Sequence, residues 1–438
     1  MNELKDIPSY AVLILHRHRH GFSAFAHLGR LLGISVAVLA LLSLSACASH
    51  SATQIGSPHT GSSASGSESV PSSMKSDMAR TAAPEPQLSG RQQAAQRARA
   101  RTANMSIQDQ AAQLVMVPLQ AGTPPTAIRQ DIQGRHIGSV LLFGNSTAGI
   151  DAVHEEISEI QSYVDDGDGL LFATDQEGGT VQHLKGPGFS VMPSAVVQGQ
   201  MSADSLESNA KTWGAQLRSA GINVDFAPSV DTVQTQPRSA NAAIGALNRD
   251  FGLDASGNAL HARAFIEGMS QAGISTAIKH YPGLGAVAGN TDLTNSGITD
   301  GTTTLDGEEI SAFDEALKSD PAMVMMSLAT YSKIDPGNPA AFSSTIMQGH
   351  LRDDKKYQGI IVSDSLSAQA LADIPANDLG VRFIQAGGDL ICADAPGYID
   401  RILDGIIATA QSDTAFRQRV ADSATRVLTL KYERQLIR

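Results

Sequence analysis

From residue 106 onward, short β-branched or methionine-rich runs alternate with segments of helical period, and this alternation constrains the fold more than any other feature. Strand candidates are Leu114–Pro118, Ile137–Phe143, Leu170–Thr174 and Val224–Pro228, followed by Thr276–Lys279, Met323–Met326, Ile360–Ser363 and Asp389–Cys392. Several are nearly continuous apolar runs, as expected of parallel strands covered on both faces. Between them, Asp151–Val164 sets Val153, Ile157, Ile160 and Val164 on one stripe and its glutamates elsewhere. Asp254–Ala272 and Ser343–Asp354 also read as helices. Eight strands with helices between most neighbours predict an α/β fold of the (β/α)8 barrel type, in one catalytic domain. The rival doubly wound sheet is less favoured, because neither G-x-G-x-x-G nor a P-loop occurs.

The first hundred residues have a different character. His16–His20 reads HRHRH, Arg30 follows, and the apolar run Leu31–Ala46 ends just before Cys47. A basic lead and a run this short resemble a secretory signal rather than a membrane span, which needs about 20 apolar residues. Leu44-Ser45-Ala46-Cys47 resembles a bacterial lipobox, which implies that Cys47 becomes the N-terminus and carries lipid. Residues 48–90 are dominated by Ser, Ala, Gly, Thr and Pro without periodicity, a composition that cannot bury enough apolar surface to offset its ordering entropy. The expected organisation is a signal at 1–46, a flexible linker at 47–104 and the barrel at 105–438. The resulting localisation is extracytoplasmic, with the membrane as a partner through lipid on Cys47.

Composition narrows the chemistry by exclusion. The net charge is −12, and nine bases against five acids lie in the first 100 residues, so the remainder carries about −16. An acidic body argues against a nucleic-acid partner. Two cysteines make neither a disulfide framework nor a four-thiolate zinc site. Cys392 reads as a buried strand thiol. Neither a serine elbow nor an H-E-x-x-H helix occurs. No metal or other cofactor is implied, and a monomer is expected.

Barrel chemistry sits at the C-terminal ends of strands. Asp175-Gln176-Glu177-Gly178-Gly179 follows the third candidate, and Ser229-Val230-Asp231 follows the fourth. Lys279-His280-Tyr281-Pro282-Gly283-Leu284-Gly285 ends the fifth, and Ser363-Asp364-Ser365 ends the seventh. Carboxylates, a lysine and a histidine therefore converge on one rim without metal-ligand spacing. Glycoside hydrolysis needs such a set, in which one carboxylate attacks the anomeric carbon while another group protonates the leaving oxygen.

ATDQEGGTVQ (173–182), INVDFAPSVD (222–231), AIKHYPGLG (277–285) and GIIVSDSL (359–366) resemble glycoside hydrolase family 3, and most nearly its bacterial single-domain β-N-acetylglucosaminidases. The resemblance spans roughly 105–435 and implies a retaining mechanism through a covalent glycosyl-enzyme, with Asp364 as nucleophile. It maps contacts with sugar hydroxyls and the N-acetyl group onto Asp175, Lys279 and His280, with Arg249 as the family arginine. His183 stands where the family often has arginine. Glu177 reads as structural. The implied activity is removal of non-reducing-end β-N-acetylglucosamine, with cell-wall glycan fragments as the source and a β-glucosidase-like specificity as the alternative.

One departure bears on mechanism. The branch carries a second histidine in its PGHG loop and then an Asp-x-His pair as general acid/base. This chain has Leu284 and then Asn290-Thr291-Asp292. Three readings follow: Asp292 is the acid, because a carboxyl in an apolar loop can be held protonated; another acid such as Asp300 or Asp306 serves; or protonation is lost, leaving a surface glycan-binding lipoprotein.

Overall fold

The computed structural model describes residues 88–438. The signal, Cys47 and most of the linker lie outside the described residues. Helix α1 (Gly90–Thr102) begins this body. Ser89 and Gln92 form a reciprocal capping box at its start, and Ala94, Ala98 and Thr102 are buried. This helix lies within the expected 47–104 linker; a capped helix with alanines on one face can pack without an apolar stripe.

Seven strands follow: β1 (Met116–Gln120), β2 (Ser139–Phe143), β3 (Leu171–Thr174), β4 (Val224–Asp225), β5 (Ser275–Tyr281), β6 (Met323–Met326) and β7 (Ile360–Ser363). Among the described residues they form one sheet in sequence order, and every pairing is parallel. Helices α2 (Ile150–Gln161), α3 (Ala203–Ser219), α4 (Ala255–Gln271) and α5 (Glu308–Leu317) fill crossovers between successive strands. The result is an α/β fold with a barrel-type parallel sheet. The eighth expected strand, Asp389–Cys392, is reduced to single parallel bridges, Leu390 with Val362 and Ile391 with Val115. The expected helix Ser343–Asp354 forms as a wider π-helical turn over Thr345–Asp354, closed by Lys355 N–H donating to the His350 carbonyl at 2.9 Å.

The strand runs are apolar on both faces because both faces are buried. Leu171, Ala173, Met323, Met325, Ile360 and Val362 belong to an inner cluster, whereas the alternating Phe172, Val324 and Ile361 pack outward under the helices. The inner cluster is sealed at one end by Val427 and Leu430 from α6 (Thr414–Glu433), the helix on which α1 rests. There Thr425 Oγ1 donates to Thr102 Oγ1 at 3.2 Å, and the Arg97 guanidinium lies 4.5 Å from the Tyr432 ring centre.

Asp389 ties this closed end together. Its carboxylate accepts from Arg352 Nη2 at 2.5 Å, Arg426 Nη1 at 2.8 Å, Ser423 Oγ at 3.0 Å and the Ile361 amide at 2.8 Å. The carboxylate is fully buried, so truncation strands Arg352 as an unpaired buried cation. Asp389→Ala is expected to lower unfolding stability by about 3–5 kcal/mol, read from urea midpoints at constant m-value.

Candidate active site

At the end of β3 the chain continues through Asp175 into a small hairpin, Gln176–Gly178 with Val181–Gln182. The turn needs glycine: Gly178 has φ +99°, and a Cβ there would stand 2.3 Å from the Pro193 carbonyl oxygen. This hairpin carries Glu177 inward. Lys279, on β5, places its Nζ 2.5 Å from Asp175 Oδ1 and 2.6 Å from Glu177 Oε1. Arg249 donates Nε to Glu177 Oε2 at 2.9 Å and Nη2 to Oε1 at 2.7 Å. Burial pushes the Glu177 carboxyl up, but the two cations outweigh it and hold the group well below the usual carboxylate range. Burial likewise opposes the charges on Arg249 and Lys279, and their carboxylate partners prevail, raising both.

His280 follows Lys279 on the same strand. Its Nδ1 lies 2.7 Å from Asp231 Oδ2, and its Nε2 lies 3.4 Å from Arg249 Nη2. Asp231 also accepts from Ser229 Oγ at 2.8 Å and the Leu284 amide at 2.7 Å. Burial raises the Asp231 carboxyl, yet His280 and these donors bring it below its ordinary value. Leu284, where the family has a histidine, is itself buried in the apolar core.

The proposed catalytic carboxylates come from separate elements. Asp364 follows β7 and receives the Ser365 amide on Oδ1 at 2.8 Å. Asp292 sits on the loop after β5, where Asn290 Oδ1 accepts the Asp292 amide at 2.9 Å. Thr291 O accepts the Ala370 amide at 3.0 Å, which docks this loop onto the segment after Asp364. The Asp292 carboxyl is pushed up to about 7, first by burial and then by the neighbouring Asp364 carboxylate, with Arg249 opposing.

Exposure divides the sequence-derived set. Asp175 and Arg249 keep part of their side chains accessible, while Lys279, His280 and His183 are almost completely buried. Burial lowers the His183 ring despite the nearby Asp175 carboxylate. The alternative acids do not join the pair. Asp300 accepts from the amides and hydroxyls of Thr302 and Thr303 in its own turn. Asp306 is exposed, and the Thr304 hydroxyl lowers it, the wrong direction for a proton donor. Cys392 is a buried free thiol.

The family pattern described as "Glycosyl hydrolase family 3 N terminal domain" matches residues 106–430. The chain belongs to glycosyl hydrolase family 3. A crystal structure of a β-N-acetylhexosaminidase from Beutenbergia cavernae superposes with TM-score 0.73 at 40% identity, covering 75% of this chain and 99% of that one. A family 3 β-N-acetylglucosaminidase from a Paenibacillus species superposes with TM-score 0.69 at 27% identity, over 76% of this chain and 63% of that one. A β-hexosaminidase of Idiomarina loihiensis is 30% identical over 314 residues, 68% of this chain and 89% of its own.

The strand-end reading did not extend to Asp394, two residues beyond the eighth candidate strand. Its Oδ1 accepts from Ser365 Oγ at 2.8 Å and from Ser367 Oγ, and it adds to the upward push on Asp292. The signal was present, since DLICAD repeats the apolar approach of GIIVSD. Asp225 was also unforeseen. It is fully buried, accepts the Gln176 amide at 3.0 Å on Oδ1, has no hydrogen-bond partner on Oδ2, and is pushed up to about 8 by burial.

The Asp225 shift sets a pH dependence of stability. Between the ordinary carboxyl value and about 8, the folded protein keeps a proton that the unfolded chain has released, so folding stability falls as pH rises. Asp225→Asn retains the acceptor for Gln176 and removes the titration. The variant is expected to gain on the wild type by up to roughly 1.4 kcal/mol per pH unit across that window, measured by urea unfolding from pH 5 to 8.

Proposed function

We propose that this glycoside hydrolase is a retaining exo-β-N-acetylglucosaminidase with Asp364 as nucleophile and Asp292 as general acid/base. The observation that carries the assignment is the Asp292 carboxyl, raised to about 7 by burial and by the Asp364 carboxylate beside it. A carboxyl that holds its proton beside a second carboxylate is suited to donate that proton while its neighbour acts as nucleophile. The β-N-acetylhexosaminidase from Beutenbergia cavernae and the β-hexosaminidase of Idiomarina loihiensis support the sugar assignment.

The reaction follows from these positions. Asp364 attacks the anomeric carbon as Asp292 passes its proton to the leaving oxygen, giving a covalent glycosyl-enzyme. Asp292, now a carboxylate, then takes a proton from water, whose oxygen attacks the anomeric carbon and frees Asp364. Asp175 and Arg249, both partly accessible, contact ring substituents. Lys279, His280 and His183 fix Asp175 and Arg249 from beneath.

In the same reading the Leu390 and Ile391 bridges complete a (β/α)8 barrel, since they join the last strand of the sheet to the segment preceding the first. The lipobox-like Leu44–Cys47 makes the protein an extracytoplasmic lipoprotein anchored through Cys47, placed to trim cell-wall glycan fragments. Cys47→Ala is expected to move the protein from the membrane to the soluble fraction and to abolish incorporation of labelled fatty acid.

The catalytic assignment is tested by hydrolysis of p-nitrophenyl and unactivated β-N-acetylglucosaminides. Asp364→Ala should lose activity on both, and unchanged turnover would sink the nucleophile. Asp292→Asn should lose about 10²–10⁴-fold on unactivated substrates and keep the first step on p-nitrophenyl ones. Because Asp292 must hold its proton, kcat/KM on unactivated substrates should fall above an apparent pKa near 7. Saturable sugar binding without hydrolysis would favour a glycan-binding protein instead.

A further inference from the structure

Asp394 stands at the same rim as the carboxylate pair and is connected to Asp364 through Ser365. Its Oδ1 accepts from Ser365 Oγ at 2.8 Å and from Ser367 Oγ, whose hydroxyl oxygens lie 2.9 Å apart. In return the Asp394 amide donates to Ser365 Oγ at 3.2 Å and to Ser367 Oγ at 3.1 Å, and the Ala395 amide donates to Ser367 Oγ at 3.2 Å. Two serines from the segment after β7 and the first turn after the eighth strand position are thus clasped around one carboxylate.

The clasp bears on Asp364 directly. Ser365 holds Asp394 with its hydroxyl and Asp364 with its backbone: its amide donates to Asp364 Oδ1 at 2.8 Å. The Asp364 amide in turn donates to the Met326 carbonyl at 3.1 Å, so β6 fixes one side of this residue and the clasp fixes the other. Residue 365 thereby transmits any movement of Asp394 to the carboxylate that must meet the anomeric carbon in line. Small misplacement at such a position is costly to rate.

We propose that Asp394 is a positioning residue for the reaction: through the hydroxyl and amide of Ser365 it aims Asp364. This rests on the assignment of Asp364 given above.

Two substitutions test the clasp. Asp394→Ala removes it, and should lower kcat by about 10–100-fold with KM nearly unchanged, also on p-nitrophenyl substrates that need no proton. Asp394→Asn keeps an oxygen acceptor for both serines and should recover most of the kcat that Asp394→Ala loses. Ser365→Ala keeps the amide that reaches Asp364 and loses the hydroxyl, so kcat should fall between the wild-type and Asp394→Ala values. If Asp394→Ala fails to fold, as judged by circular dichroism and melting, Ser365→Ala takes over the kcat readout. An Asp394→Asn variant no more active than Asp394→Ala, or kcat undiminished in the folded variants that break the clasp, overturns the proposal. Asp364→Ala, assayed alongside, keeps the two assignments distinct: if that variant stays active, the nucleophile assignment fails, whereas an inactive Asp364→Ala beside unaffected Asp394 variants defeats only the role of Asp394.

Discussion

The site depends on a single shared carboxylate. Glu177 is buried between Lys279 and Arg249; without it Arg249 would be stranded and Lys279 would be left with Asp175 alone. A buried charge is tolerable only when its partner is close and its remaining hydrogen bonds are met. Glu177 meets that condition for two cations at once, and the second oxygen contact of Lys279, to Asp175, links the buried group to the accessible rim. Three stretches separated in sequence, after β3, after β4 and on β5, are thereby locked into one layer. His280 and Asp231 extend the layer by a further pair.

The same pairing explains why Asp292 differs from its neighbours. Within the ionic layer the Glu177 and Asp231 carboxyls are lowered because Arg249, Lys279 and His280 lie beside them. Asp292 stands at the edge, where Arg249 is already engaged and Asp364 is near, so desolvation and like-charge repulsion outweigh the remaining attraction. Leu284, on the same loop as Asp292, is itself buried in the apolar core.

Much of the scaffold was legible in the chain. Met323–Met326 and Ile360–Ser363 form strands with the expected bounds, because an apolar run buried on both faces leaves little choice of structure. Elsewhere the first strand begins two residues later than Leu114, since Leu114 and Val115 are spent on contacts with Ile391. The helix Gly90–Thr102 was folded into the linker because its contact face is alanine and threonine, which periodicity does not detect. Among site residues, Asp175, Lys279, His280 and Asp364 were visible as polar groups just past apolar strands, whereas Arg249 and Asp292 came only through the family resemblance. Asp394 was not, although it occupies the equivalent place after the last one.

Sequence by itself determined the alternation of buried strands and helices, the rim on which polar residues gather, and the family to which they belong. Those are properties of local pattern, carried by residues a few positions apart. Tertiary structure alone decided which carboxylates are paired with cations and which are not. Lys279 and Asp175 are 104 residues apart, and Arg249 and Glu177 are 72 apart, so their contacts exist only once the sheet has formed. Proton affinity depends on such distances and on desolvation, neither of which a linear chain specifies. An aspartate in a glycine-rich loop is in sequence no more than a turn residue; burial beside a second carboxylate is what raises its affinity for a proton.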